Sequence, residues 1–241
     1  MSAMNQPKKP TQILVWVIFS LIIGSFVASC NTSTIEPDAV ALGTEYFPLE
    51  TGSYIDYQVE DIQFTLIAAP DTSRYLIREL IADKFLDING DSSFRLERFR
   101  RLNTSVAWEL DSVWVAKRSS VRAVVIQNNQ PLVKLVFPLE NNRRWDGNIL
   151  NGFSENLYEI QNLGQAFSID TFNFARTLKV VQANDSSLVG IDQRNEIYAV
   201  DVGLVYKDSV VVTLCTETPE CFNQIESGRK SIQKIIGFGK L

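Results

Sequence analysis

The chain has 241 residues, of which 45% are hydrophobic and 10% aromatic. This composition excludes a disordered protein and allows one sizeable domain or two small ones. The formal net charge of -5 disfavours a nucleic-acid partner, because phosphate binding needs clustered Lys and Arg. The sequence contains no histidine, which excludes Ser-His-Asp and Cys-His catalysis and HExxH zinc sites. An enzyme would have to work with carboxylates, lysine, tyrosine or serine.

The first element along the chain is an apolar run of 15 residues, 13–27, which Lys8 and Lys9 precede. This length suits the core of a signal peptide better than a membrane span, which needs roughly 20 apolar residues. Residues 27–30, Val-Ala-Ser-Cys, resemble a bacterial lipobox, whose cysteine is acylated and becomes the first residue of the mature chain. The resemblance implies a lipid on Cys30, and two or three acyl chains anchor a protein stably in a bilayer. An uncleaved anchor and an ordinary secretory signal are the alternatives.

Asn31 follows the cysteine, and no acidic residue occurs before Glu36. Because an aspartate next to the cysteine marks inner-membrane retention in some bacteria, we expect the outer membrane, with its periplasmic or surface face open. Residues 31–44 are mostly small or polar and read as a tether. We therefore predict a signal peptide at 1–29, a lipid-anchored tether at 30–44 and a single β domain at 45–241.

From Tyr46 onwards apolar and polar residues mostly alternate, which predicts β-strands, whereas no stretch shows a sustained helical period. The alternation changes parity after Asp61, which predicts a bulge or a sharp bend near this residue. Asn89 and Gly90 form a strong hairpin signal. The predicted strands cover residues 54–66, 74–81, 92–101, 112–117, 121–127, 132–137, 172–181, 196–206, 209–216 and 232–238.

These strands predict an all-β protein with antiparallel, hairpin-linked strands. About ten strands without helices must curve strongly to protect their edges, so we expect a strongly curved sheet, a half-barrel or a barrel, with a β-sandwich as the alternative. Arg98 and Arg176 fall on otherwise apolar strand faces. An open or partly wet concave surface explains these charges better than a dry sandwich core.

Cys215 and Cys221 form an even pair once Cys30 is assigned to the lipid. A chain that has left the reducing cytosol favours disulfides, and the Thr-Pro step between the two cysteines predicts a turn. A reactive thiol would need a depressed pKa, but no basic residue lies close in sequence. We therefore predict a structural disulfide.

Three blocks, residues 46–60, 135–148 and 195–208, look like recurrent blocks of an uncharacterised lipoprotein family of Bacteroidota. Members of that family combine a lipobox with an FPL-G-Y block, an FP-WDGN block and a YA-VGLVYK block. The resemblance implies an envelope lipoprotein and names no activity or ligand. The matching residues are Pro48, Gly52, Tyr57, Pro138, Trp145, Gly147, Asn148, Tyr198, Ala199, Val202, Gly203, Leu204, Tyr206 and Lys207.

The best candidate binding loop is "RRWDGN" at residues 143–148. Arg143, Arg144, Trp145, Asp146 and Asn148 combine charge, aromatic stacking and hydrogen bonding near a predicted turn. A structural corner is the alternative, because aromatic side chains at β positions more often belong to the core.

We predict no metal site and no cofactor. The run "DINGDSS" at 87–93 resembles a calcium loop but lacks the glycine and the glutamate that an EF-hand requires at positions six and twelve. The S-x-x-K run at 231–234 lacks the partner motifs of serine acylases. The leading interpretation is a non-enzymatic envelope lipoprotein that contacts the membrane through its lipid and binds a hydrophobic, glycan or envelope-protein partner. A carboxylate-dependent glycan hydrolase and a lipid carrier or chaperone are the alternatives.

Overall fold

The computed structural model describes residues 38–241. The predicted signal peptide, Cys30 and the first part of the predicted tether therefore lie outside the described residues. The described chain begins with a single helical turn, α1 (Ala39–Leu42), and a short 3-10 helix, η1 (Thr44–Tyr46). Leu42 packs against the core, so the folded body already includes the last residues of the predicted tether. No helix in the described part of the chain is long and apolar enough to cross a bilayer.

Twelve antiparallel strands make up most of the remaining described chain, and a second 3-10 helix, η2 (Pro219–Cys221), lies before the last of them. The strands are β1 (Ser53–Thr65), β2 (Ala68–Leu86), β3 (Ser92–Arg101), β4 (Glu109–Arg118), β5 (Arg122–Gln127), β6 (Gln130–Val136), β7 (Arg144–Asp146), β8 (Leu157–Ile169), β9 (Phe172–Ser186), β10 (Gly190–Ala199), β11 (Gly203–Leu214) and β12 (Ile225–Lys240).

The strands form one sheet in the order β6-β5-β4-β3-β2-β1-β12-β11-β10-β9-β8-β7, which curls into a nearly closed barrel. The two edge strands, β6 and β7, approach each other. The backbone N–H of Val133 donates to the carbonyl oxygen of Gly147 at 2.9 Å, and the indole N–H of Trp145 donates to the carbonyl oxygen of Val133 at 2.9 Å. The predicted all-β, strongly curved sheet is confirmed.

Alternate residues of each strand point into the barrel, and most of these are apolar. They form two clusters. The first lies between β5–β6 and β7–β10, and its largest buried members include Leu135, Trp145, Tyr158, Ile160 and Tyr198. The second lies between β1–β2 and β9–β12 and consists of Tyr57, Val59, Ile77, Phe174, Ala199, Val205 and Ile235.

The structure departs from the predicted strands in three places. The predicted strand 196–206 is two strands, because a tight turn with Asp201 at a positive φ of 60° separates β10 from β11. The register of β1 shifts next to Gln63, close to the bulge or bend predicted near Asp61, and shifts again next to Asp56, which was not predicted. Asp61 simply points inward, where Arg229 and Tyr75 bind its carboxylate. Strands β7 and β8 were not predicted.

Candidate functional site

A cavity of about 580 Å³ lies inside the barrel, at the end where β1 begins, β12 ends and β10 turns into β11. This volume is within the roughly 300–1,000 Å³ of small-molecule sites. The mouth includes Phe47, Glu50, Asp201, Phe238 and Lys240, all from chain segments at this end. Much of the wall is apolar and is built from Ile55, Ile81, Leu96, Trp114, Val125 and Leu204.

The most buried charged group in the wall is the carboxylate of Glu196, which is 1% exposed. The ammonium of Lys134 donates to its Oε1 at 2.6 Å, and the hydroxyl of Tyr198 donates to its Oε2 at 2.6 Å. The ammonium of Lys207 lies farther from Oε1, at 3.5 Å. Glu196 is thus satisfied by one close lysine and one tyrosine, with a second lysine beyond normal hydrogen-bond distance.

Strand register brings these groups together. Glu196 on β10 pairs directly with Lys207 on β11, so both side chains leave the same face of the sheet. Tyr198 follows Glu196 by two residues and therefore points to that face as well. Lys134 comes from the edge strand β6, and its side chain reaches Glu196 on β10 inside the nearly closed barrel.

The charges in this cluster shift the pKa values of its members. Burial would raise the pKa of the Glu196 carboxyl, but the ammonium groups of Lys134 and Lys207 and the hydrogen bonds from Lys134 and Tyr198 outweigh it and lower the pKa to about 2. Burial lowers the pKa of Lys207, against the attraction of Glu196. Burial and the neighbouring carboxylate raise the pKa of Tyr198 well above its usual value. Glu196 is therefore ionised at neutral pH.

A second ion pair contributes to the wall next to β1. Arg98 donates to the carboxylate of Glu79 at 3.0 Å, and its guanidinium lies 4.1 Å from the ring centroid of Trp114. Glu79 and Arg98 are cross-strand partners in β2 and β3. The fully buried Tyr57 donates its hydroxyl to the carbonyl oxygen of Leu204 at 2.9 Å. These contacts fix the orientation of Arg98, Glu79 and Tyr57, and Lys207 takes part in none of them.

The interior of the cavity carries one positive charge in excess. Its charged wall residues, apart from those at the mouth, are three cations and two carboxylates, namely Arg98, Lys134, Lys207, Glu79 and Glu196. At the mouth, Glu50 pairs with Lys240, and Asp201 adds a further negative charge. The positive excess is therefore confined to the interior.

Two glutamines add hydrogen-bonding capacity to the cavity wall. Within residues 38–241 the side-chain amides of Gln127 and Gln233 have no hydrogen-bond partner, although both line the cavity. The described residues contain no group of three or more Cys, Asp or Glu side chains that could hold a metal ion. The arrangement suits an organic ligand with a polar or anionic end and an apolar body.

The predicted loop at residues 143–148 lies away from the cavity, and its side chains make internal contacts. Trp145 is buried in the first apolar cluster, and Arg144 donates to Glu159 at 2.5 Å from an exposed position. Arg143 donates to the carbonyl oxygen of Pro138 at 2.8 Å. The carboxylate of Asp146 accepts from the backbone N–H of Asn148, whose amide donates to the carbonyl oxygen of Ser154. These internal contacts favour the alternative that the sequence left open, a structural corner.

Cys215 and Cys221 form the disulfide that the sequence predicts, with their Cα atoms 5.6 Å apart. It closes the loop between β11 and β12, which contains η2. Cys30, the predicted lipidation site, lies outside the described residues.

Sequence reasoning did not single out Glu196, Lys134 or Lys207 as site residues. The sequence nevertheless pointed towards the cavity. Seven of the residues on which the resemblance to the lipoprotein family rests line it: Pro48, Tyr57, Tyr198, Val202, Gly203, Leu204 and Lys207. Arg98, which sequence reasoning noted as a charge on an apolar face, also lines the cavity.

No protein-family model matches this sequence, and no curated protein matches it. Two solved structures are similar to it. One is a "putative lipoprotein" from Parabacteroides distasonis, with 11% identity and a TM-score of 0.40 over 80% of this chain and 98% of the other. The second is a "putative exported protein with YmcC-like fold" from Bacteroides fragilis, with 11% identity and a TM-score of 0.40 over 79% of this chain and 98% of the other. Similarity at this level does not place the chain in a family.

Proposed function

We propose that this chain is a lipid-anchored protein of the bacterial cell envelope and that its barrel cavity binds an amphipathic small molecule. The cavity carries the proposal, because it combines about 580 Å³ of volume, an apolar wall and a buried charge cluster. Ligand sites typically combine a mostly apolar lining with a few fixed polar groups.

The envelope location is supported by the N-terminal sequence. A short basic segment, a 15-residue apolar run and a lipobox-like stretch ending at Cys30 are the features of a lipoprotein signal peptide. The disulfide between Cys215 and Cys221 suits an oxidising compartment. The residues after Cys30 favour the outer membrane.

The chain enters the described barrel beside the cavity mouth. The backbone N–H of Asp201 donates to the carbonyl oxygen of Glu45 at 2.9 Å, and Arg118 donates to the carbonyl oxygens of Thr44 and Phe47 at 2.9 and 2.7 Å. These bonds hold the segment before β1 against the rim, so that residues 47–50 line the mouth. This segment therefore forms part of the cavity mouth.

The proposal is for binding without catalysis. A general acid must hold a proton near neutral pH, which requires a raised carboxyl pKa. Glu196 has the opposite shift, and Glu79 is paired with Arg98. The carboxylates of Glu196 and Glu79 are each fixed by a cation, so neither is poised to donate a proton.

Photoaffinity labelling of the full-length protein in lipid nanodiscs tests the proposal. The probes are a 16-carbon fatty acid and the matching fatty alcohol, each carrying a diazirine and an alkyne. Val125→Trp fills the cavity, and Val113→Trp on the outer face of β4 is the matched control. We expect at least one probe to label cavity residues in the wild type and in Val113→Trp but not in Val125→Trp. Labelling that is equal in all three proteins, or that maps to the outer surface, would overturn the proposal.

A further inference from the structure

We infer that the cavity selects a single-chain amphiphile with one carboxylate, which pairs with the ammonium of Lys207. The inference rests on the proposed ligand-binding function of the cavity and specifies its ligand class. The groups that carry it are Lys207, Gln233 and the apolar wall.

Lys207 is the interior cation that lacks a close partner. Glu196 is occupied by Lys134 and Tyr198, both at 2.6 Å, whereas the ammonium of Lys207 lies at 3.5 Å. Charge-assisted N–H···O bonds are typically about 2.7–2.9 Å long. The ammonium of Lys207 is therefore only loosely held by the protein's own carboxylate.

A ligand in the cavity can contact the side chain of Lys207. The side chain of Lys207 keeps 42% of its surface accessible, and Lys207 lines the cavity. An ammonium that is only loosely paired inside a mostly apolar cavity carries an unfavourable desolvation free energy. A negatively charged group of the ligand would offset that free energy. The cations of the cavity interior outnumber its carboxylates by one, and a ligand carboxylate next to Lys207 would balance that local excess.

Gln233 supplies a neighbouring donor. It is the cross-strand partner of Lys207 in β11 and β12, and both side chains line the cavity. Its amide has no partner within the described residues. An ammonium and an amide N–H side by side match the two oxygens of a carboxylate.

The size of the cavity limits the rest of the ligand. At about 30 Å³ for each water-sized atom, 580 Å³ holds roughly 20 heavy atoms. This is enough for one acyl chain with its carboxylate, whereas a two-chain phospholipid has more than twice as many atoms. The apolar side chains of Ile55, Leu96 and Val125 line the volume left for the chain.

The test compares the fatty acid and fatty alcohol probes on three full-length proteins in nanodiscs: the wild type, Lys207→Met and Lys230→Met. Lys230 is the control because it lies on the outer face of β12, with its ammonium 5.5 Å from the ring of Phe64. The measured quantity is the ratio of acid to alcohol labelling at cavity residues. We expect this ratio to fall about 10-fold in Lys207→Met and to stay unchanged in Lys230→Met.

The outcomes separate this inference from the proposed function. If both probes label the cavity but the ratio is the same in all three proteins, ligand binding stands and the carboxylate assignment is overturned. If neither probe labels the cavity, both are overturned. Urea unfolding of each variant checks that the barrel is intact, and Lys207→Gln provides a second variant that keeps a polar side chain.

Discussion

The ammonium of Lys134 lies 2.6 Å from the carboxylate of Glu196, although 62 residues separate the two in sequence. The pair connects β6, an edge strand, to β10 in the opposite wall. Together with the hydrogen bonds that join Val133 of β6 to Gly147 and Trp145, it holds the barrel nearly closed. The charge cluster is therefore part of the closure as well as part of the cavity wall.

The two lysines should differ in their effect on stability. Lys134→Met removes the close partner of a buried carboxylate, so we expect the free energy of unfolding to fall by about 3 kcal/mol. Lys207→Met leaves Glu196 bound to Lys134 and Tyr198 and should cost less than about 1 kcal/mol. Urea unfolding followed by tryptophan fluorescence measures both. Equal losses would show that Lys207 is as important to the fold as Lys134.

Glu196 should make stability depend on acid pH. Its pKa in the folded protein is about 2, below the ordinary value of 4.5, so its contribution is fully present above pH 4.5 and is lost as the pH falls towards 2. Glu196→Gln removes this contribution. We therefore expect the difference in unfolding free energy between wild type and Glu196→Gln to be constant above about pH 5 and to shrink below it. Parallel pH profiles for the two proteins would contradict the assigned pKa.

The disulfide should stabilise the barrel modestly. It closes a loop of seven residues, for which the loop-entropy relation gives about 2 kcal/mol. We expect the Cys215→Ala/Cys221→Ala double variant to lose about this much stability and to retain cavity labelling, because neither cysteine lines the cavity. Loss of labelling in a folded double variant would contradict this separation.

The corner at residues 143–148 should be structural. Trp145→Phe leaves the carbonyl oxygen of Val133 without its indole donor and should cost about 1 kcal/mol or more. Arg144→Ala removes an exposed ion pair and should cost less than about 0.5 kcal/mol. Neither change should affect probe labelling in the cavity. If Arg143→Ala or Arg144→Ala abolished labelling, the corner would be the binding site.

Local alternation was sufficient to predict the fold class and many strands. The predicted range 92–101 coincides with β3, because Phe94 and Leu96 alternate with polar residues and turns flank the strand on both sides. Alternation failed at the β10–β11 turn, since Val200 and Val202 continue the apolar pattern through residues that form a tight turn. Alternation also failed to predict β8, where Asn162 and Gly164 adopt positive φ angles and the register of pairing with β9 shifts.

The cavity depends on contacts that no local pattern contains. Lys134 and Glu196 meet only because the sheet closes, and the sequence does not show which strands face each other across a barrel. Arg98 indicated the cavity in part, because a charged residue on an otherwise apolar strand face predicted a partly wet concave surface, and Arg98 lines the cavity. The best sequence-based candidate, the corner at 143–148, combined suitable residue types, but its tryptophan is buried in the core.

The most direct test of ligand binding is to identify what co-purifies with the full-length protein. The protein is isolated from cells in parallel with Val125→Trp and Val113→Trp, and the small molecules are extracted and identified by mass spectrometry. We expect wild type and Val113→Trp each to retain about one equivalent of an acidic single-chain amphiphile, and Val125→Trp to retain none. The same trace of bulk membrane lipid in all three samples would contradict the account.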